Sequence, residues 1–166
     1  MINKRYINFD EMKGHCTEII RQMMNDKWEP ELIIGITRGG ALPAVMLSQF
    51  LSVKMVGLDV SLRDSAEYGP ESNCWAAEIA QTNKRILIVD DINDTGATIN
   101  WIMQDWEFPA GSIAWGDNVR FAVIVDNESS KSKITPQYAS LTINKAFNDE
   151  WIVFPWEEFW KPNDAQ

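Results

Sequence analysis

Apolar residues recur along this chain at two different spacings. Met12, Cys16, Ile19, Ile20 and Met23 stand three or four residues apart, which predicts an amphipathic helix over residues 8–26. Asn8 followed by Glu11 supplies a capping box at its start. Beyond it the pattern turns into short, mostly apolar runs at 32–36, 54–60, 85–89 and 119–125, with a weaker one at 139–143. Runs of that length without polar alternation predict strands covered on both faces. Helical stretches over 41–51 and 97–106 lie between them, and Pro43 fits a first helical turn. Residues 61–83 are polar, carry Gly69-Pro70 and show no clean period in their first half, which predicts a mobile loop. Strands alternating with helices predict an α/β fold: one domain over 1–166 with a Rossmann-like parallel sheet flanked by helices.

Composition narrows the function classes. A hydrophobic content of 45% over 166 residues is enough for one core and excludes a disordered chain. No apolar run approaches the ~20 residues of a membrane span. The start, Met1 to Tyr6, has no apolar signal-peptide region, so the expected location is the cytoplasm, away from membranes. Cys16 and Cys74 fall in unrelated contexts and read as free thiols, and no Cys/His cluster suggests zinc. His15, the only histidine, reads as a helix-surface residue. A net charge of −9 opposes nucleic-acid binding. It does not oppose a pyrophosphate ester, whose charge local amides, a cation and an arginine can offset.

In open parallel sheets ligands bind at the carboxyl ends of the strands. The run Ile86 to Val89 ends in Asp90 and Asp91, then Asp94, then Thr95-Gly96-Ala97-Thr98 before an apolar helix at Ile99. Amides of a small-residue loop at a helix start converge on one point and favour an anion there. Carboxylates one turn away suit ribose hydroxyls and a hard cation such as Mg²⁺. A helix cap needs one acid, and here three fall within five residues. Thr37-Arg38-Gly39-Gly40 ends another core strand. Its glycines allow close backbone approach or an unusual peptide geometry, and Arg38 offers forked donors for a phosphate. Near the C-terminus stands Trp151-Ile152-Val153-Phe154-Pro155-Trp156-Glu157. Val153 and Phe154 read as core strand. Trp151 follows Asp149 and Glu150 at a loop edge, where its ring can stack on a planar base.

The run 86–98 resembles the signature of type I phosphoribosyltransferases: apolar residues, two acids, then Asp-Thr-Gly-x-Thr. With Arg5-Tyr6-Ile7, Thr-Arg-Gly-Gly, and Trp-Ile followed by Pro-Trp-acid, the chain is most similar to the bacterial xanthine-guanine enzymes of that family. The resemblance implies that family's fold, with a small C-terminal hood and a base-binding segment at about 144–160. It implies phosphoribosyl transfer from phosphoribosyl pyrophosphate (PRPP) to a purine base of the hypoxanthine, guanine or xanthine class, with Mg²⁺, in a homo-oligomer (dimer or tetramer). By position it implies Asp94 as the acid that exchanges a proton with the base, and 94–98 as the 5-phosphate loop. Asp90 and Asp91 become ribose and metal acids, with Glu157 near a second metal. Thr37, Arg38, Gly39 and Gly40 become the pyrophosphate loop. Separately, Arg63 of the 61–83 loop is a candidate for reaching pyrophosphate on closure. Trp151 and Ile152 become base contacts.

Two positions depart from the family. Its purine enzymes carry a lysine just after the strand matching 119–125, which donates to the 6-oxo group. Here that place reads Asp126-Asn127, both candidate base contacts, and the nearest lysines are Lys131 and Lys133. The family's Ser-Tyr pair in the mobile loop is replaced by Leu62-Arg63. Three outcomes stay open. Lys131 or Lys133 folds back, Asn127 serves a 6-oxopurine, or Asp126 turns the site toward an amino-bearing base. A solvated Asp126 on a loop, with activity on hypoxanthine or guanine above adenine, is the expectation adopted. Two rivals to it are a phosphoribosyltransferase for another base (adenine, a pyrimidine or a modified purine) and a non-catalytic sensor of PRPP or a nucleotide.

Overall fold

The mostly apolar runs become strands, and those over Leu32–Thr37, Ile86–Asn93 and Val119–Asn127 are buried along most of their length. In the computed structural model, described here for residues 3–60 and 74–158, the chain runs β1 (Asn3–Tyr6), α1 (Phe9–Asn25), β2 (Leu32–Thr37), α2 (Ala41–Leu51), β3 (Met55–Asp59), α3 (Cys74–Gln81), β4 (Ile86–Asn93), α4 (Ala97–Ala110), β5 (Val119–Asn127), β6 (Tyr138–Ile143) and β7 (Glu150–Val153). Five strands form a parallel sheet in the order β3-β2-β4-β5-β6. Alternate residues of each strand point to opposite faces. Ile33, Leu87, Val89, Ala122 and Ile124 therefore pack on one side with Met12, Cys16, Ile19 and Ile20 of α1 and Leu47 of α2. Ile34, Ile36, Ile86, Ile88 and Phe121 pack on the other with Ala76 and Ala80 of α3 and Ile102 and Trp106 of α4. The Asn8 side chain accepts from Glu11 N at 2.8 Å while the Glu11 carboxylate accepts from Asn8 N at 2.7 Å, the expected capping box.

The path of the chain creates the crevice. From β2 it passes through α2 to β3 on one side, then returns through α3 to β4 on the other side of β2. β2 and β4 are thus neighbours whose outgoing helices cover opposite faces, the condition for a ligand crevice at their carboxyl ends. β2 pairs with β4 only as far as Gly35 and Val89, whereas β4 stays paired with β5 to Asn93 and Asp126. Asp90 and Asp91 therefore lie where the sheet splits.

Four expectations change. Residues 74–81 of the expected loop form α3, because Ala76, Ala77 and Ala80 give it a buried face. Residues 61–73, with Leu62, Arg63 and Gly69-Pro70, lie outside the described residues. The acids Asp90 and Asp91 sit inside β4, which runs on to Asn93. β1, which the sequence did not suggest, pairs in parallel with β7, Lys4 against Trp151 and Arg5 against Ile152. The hood is thus built from both ends of the described chain. Finally, β5 extends to Asn127, so Asp126 is a buried strand residue and not a solvated loop one.

Candidate active site

The Thr37–Gly40 loop and the Asp94–Thr98 loop both lie at the carboxyl ends of β2 and β4, at the crevice. The Thr37–Arg38 peptide bond is cis, and the loop closes through Gly40 N donating to Ile36 O at 2.8 Å. Gly39 lies flat against Asp91: a Cβ there would overlap the Asp91 carboxylate. Only glycine lets this loop approach the β4 acids so closely. Arg38 is exposed at the rim.

The β4 acids are electrostatically uncomfortable. Asp91 N donates to Asp90 Oδ1 at 2.9 Å, and Ile92 N to Asp91 Oδ1 at 2.8 Å. Burial, then repulsion from Asp91, pushes the Asp90 carboxyl well above the ordinary carboxylate range. Burial also raises Asp91, with a contribution from the charge of Glu157. Glu157 therefore belongs to the same electrostatic field, while its Oε2 accepts from Phe154 N at 2.9 Å. Two crowded carboxyls with raised pKa values suit a hard cation. Among the described residues no group of three or more acids, histidines or cysteines forms a ready-made metal cage.

The loop after β4 starts α4 through Gly96, which has φ +86°. A Cβ there would meet the backbone of Lys131 and Ser132, 2.6 Å from Ser132 Cα. Lys131 N donates to Thr95 O at 2.9 Å, and Asn100 of α4 holds Lys131 O at 2.9 Å and Lys133 N at 2.7 Å. The segment after β5 therefore buttresses the 95–98 loop. Asn100 N donates to Gly96 O at 3.0 Å, so the amides of Thr95 to Thr98 precede the helical ladder at the positive end of α4.

Asp94 lies one residue beyond β4. Its backbone carbonyl accepts from Asn127 Nδ2 at 2.8 Å. Its Oδ1 is 2.9 Å from Nζ of Lys145, a residue of the turn after β6 that the sequence did not single out. Lys145 Nζ lies 5.9 Å from the centre of the Trp151 ring. Trp151 is 43% exposed, whereas the Ile152 side chain is in the core and leaves only its backbone for recognition.

Asp126 does not join this group. It accepts from Asn93 Nδ2 at 2.8 Å and lines a separate polar cavity of about 570 Å³ with Gln22, Ser130 and Gln137. Asp126 and Asn127 are successive strand residues whose side chains reach different partners, Asn93 and Asp94. Burial raises the Asp126 carboxyl, and the Asn93 bond partly opposes this. Asn127, turned toward Asp94, is already engaged at both ends of its amide, with Oδ1 accepting from Ser129 N, Ser129 Oγ and Lys145 N. Both side chains are thus engaged within the protein. His15 bonds Ser140 Oγ at 2.8 Å across α1 and β6, half-buried and away from the crevice. Cys16 is a buried free thiol pushed up to about 11 by that burial.

Comparison with known proteins adds an independent line. Residues 5–163 match the phosphoribosyl transferase domain family. A xanthine-guanine phosphoribosyltransferase of Cereibacter sphaeroides is 29% identical over 136 residues, covering 80% of this chain and 71% of that one. A hypoxanthine-guanine phosphoribosyltransferase of Saccharomyces cerevisiae is 24% identical over 192 residues, covering 93% and 86%. Among solved structures, a purine phosphoribosyltransferase from Pyrococcus horikoshii shares the fold, with a TM-score of 0.66 and 24% identity over 98% of this chain and 99% of that one.

Proposed function

Since the chain belongs to the phosphoribosyl transferase domain family, we propose that it transfers the 5-phosphoribosyl group of PRPP to a 6-oxopurine, yielding the nucleoside monophosphate and pyrophosphate. The observation that carries this reading is the meeting of Gly39 with Asp91 at the β2/β4 split. It brings an arginine-bearing loop suited to pyrophosphate against acids suited to ribose and a cation, one loop away from the amides of α4. The named relatives act on hypoxanthine, xanthine and guanine, which supports the base class.

Each group then has a task. The amides of 95–98 hold the 5-phosphate at the positive end of α4. Asp90 and Asp91 hold the ribose hydroxyls and Mg²⁺, with Glu157 close by. Bound there, Mg²⁺ would neutralise charge on the departing pyrophosphate. Thr37 to Gly40 and Arg38 bind that pyrophosphate and stabilise it as it leaves. Trp151 stacks on the base and the backbone of Ile152 reads its edge. As the base nitrogen bonds to ribose C1 and the C1–O bond to pyrophosphate breaks, the base sheds one proton, which Asp94 accepts. The assembly is a homo-oligomer, dimer or tetramer, consistent with exposed Val45 and Phe50 on α2. Its proposed location is the cytoplasm; no helix among the described residues is long and apolar enough to cross a membrane.

The deciding experiment incubates the protein with PRPP, Mg²⁺ and a panel of purine and pyrimidine bases and measures nucleotide and pyrophosphate. Nucleotide formation with hypoxanthine, guanine or xanthine is expected. Formation only with another base class, or PRPP binding without turnover, overturns the proposal in favour of a different specificity or a sensor.

A further inference from the structure

The strand end Asp126-Asn127 brings no cation to the base, yet a cation stands beside Asp94. The turn that follows β6 is exposed at Ala146, Phe147, Asn148 and Asp149. From it a single long side chain runs inward: Lys145 is 15% exposed, and Asp94, its partner at 2.9 Å, is 23% exposed. The same ammonium lies 5.9 Å from the centre of the Trp151 ring, within the range of cation–π attraction. Its place is fixed through the backbone. β5 and β6 pair as far as Asn127 and Ile143, so the Lys145 turn begins next to the end of β5. The Asn127 amide then bridges the two loops, donating to Asp94 O at 2.8 Å and accepting from Lys145 N at 3.0 Å. One side chain therefore sets the spacing between Asp94 and Lys145. Lys131 and Lys133, nearer in sequence, are held by their backbones against Thr95 and Asn100.

We infer that Lys145 is the specificity-determining residue of the base subsite, selecting a ring with an oxo group on the edge facing it, and that Asn127 is its positioning residue. This rests on the phosphoribosyl-transfer reading above. An ammonium has three donors and no acceptor. With one donor on Asp94, two remain for a ring lying on Trp151. An oxo group there accepts a charge-assisted bond. An amino group there presents another donor and leaves the cation unmet. A residue on a different loop thus supplies the charge that Asp126-Asn127 lacks, and Asn127 keeps it aligned.

The test compares kcat and KM for hypoxanthine and adenine, with PRPP and Mg²⁺ saturating, in the native protein, Lys145→Met, Lys145→Arg and Asn127→Leu. The native protein is expected to favour hypoxanthine. Lys145→Met should lower kcat/KM for hypoxanthine by about 10–100-fold, the scale of one hydrogen bond to a charged group, mainly through KM, and change adenine by only a few-fold. Lys145→Arg should retain most of the preference, and Asn127→Leu should shift it in the same direction as Lys145→Met. If Lys145→Met does not fold, Lys145→Gln carries the same test, because its amide donates and accepts alike. A hypoxanthine-to-adenine ratio that stays within twofold of the native value in Lys145→Met or Lys145→Gln, or a native preference for adenine, overturns the role of Lys145. An unchanged ratio in Asn127→Leu overturns the positioning role. Transfer to no base by the native protein overturns the phosphoribosyl-transfer reading itself, a separate result.

Discussion

Asp94 stands at a junction of three constraints. Its carbonyl is held by Asn127 and its carboxylate by Lys145, and the Gly96 turn follows two residues later. Asp94→Asn keeps the shape and removes the base. Turnover is expected to fall by roughly 10²–10⁴-fold, the usual scale for losing a general acid–base group, while the affinity for PRPP measured by calorimetry stays near native. A native kcat would remove Asp94 from proton transfer. Asp90 and Asp91 show the opposite economy: burial raises both carboxyls, with repulsion from Asp91 added at Asp90 and from Glu157 at Asp91, so the free protein bears them at a cost in stability. Both accept a backbone N–H through one oxygen, which an asparagine carbonyl can still do. The Asp90→Asn, Asp91→Asn double variant should therefore melt higher than the native protein near pH 7, by about 2–4 °C for each ~1 kcal/mol of relieved repulsion, and lose transfer activity. A lower Tm at neutral pH would contradict the crowding.

At the scale of elements, two helix starts separate stability from function. The capping box of α1 lies at Asn8 and Glu11, away from the crevice. Asn8→Ala should cost about 1 kcal/mol in denaturant unfolding and leave kcat and KM unchanged. Gly96 begins α4 at φ +86°, pressed against the backbone of Lys131 and Ser132. Gly96→Ala should cost on the order of 1–3 kcal/mol for the left-handed backbone alone, with weaker PRPP binding in addition. Equal stability of Gly96→Ala and native protein would contradict the contact. A bulky residue at 96 is a poor probe of phosphate binding for the same reason: it disturbs the packing of the β5–β6 connection along with the loop amides.

For the whole molecule, the raised carboxyls set a pH dependence of definite sign. Below about pH 4, the ordinary carboxylate value, Asp90, Asp91 and Asp126 are protonated in folded and unfolded chains alike. Above it the unfolded chain releases protons that the folded chain retains through these three groups. Their contribution to stability therefore falls as pH rises from about 4 through their raised range. Asp26, lowered by its bonds from Arg120 and Tyr138, acts in the other direction, its contribution being lost as pH falls through its own lowered range. Thermal melts of the native protein and the Asp90→Asn, Asp91→Asn variant should coincide near pH 4 and separate toward pH 7. Saturating Mg²⁺ with PRPP should narrow the gap by raising the native Tm, because a ligand that binds only the folded state stabilises it. A gap independent of pH would remove the carboxyls as its cause.

The sequence by itself determined the parallel α/β core, because strands covered on both faces need mostly apolar runs and covering helices need three- and four-residue spacing. It determined the acid-bearing end of β4 and the glycine turn into α4 too, since Ile86 to Thr98 are contiguous and the chemistry of a strand end and a helix start is local. Arg38 and Gly39 were legible for the same reason. The tertiary structure alone decided what depends on pairing between distant segments. β1 is four exposed residues that become a strand only against β7. α3 is short, and its buried alanines declare themselves only once α4 lies beside them. The fates of Asp126 and Asn127 followed from one step of strand alternation beyond the expected end of β5, which sends one to Asn93 and the other to Asp94. Lys145 stands 51 residues from Asp94 by their numbering, in a polar turn with no pattern of its own. Only the parallel pairing of β5 with β6 and the reach of the Asn127 amide bring its charge to the acid, because no local spacing encodes a contact made between the ends of two strands.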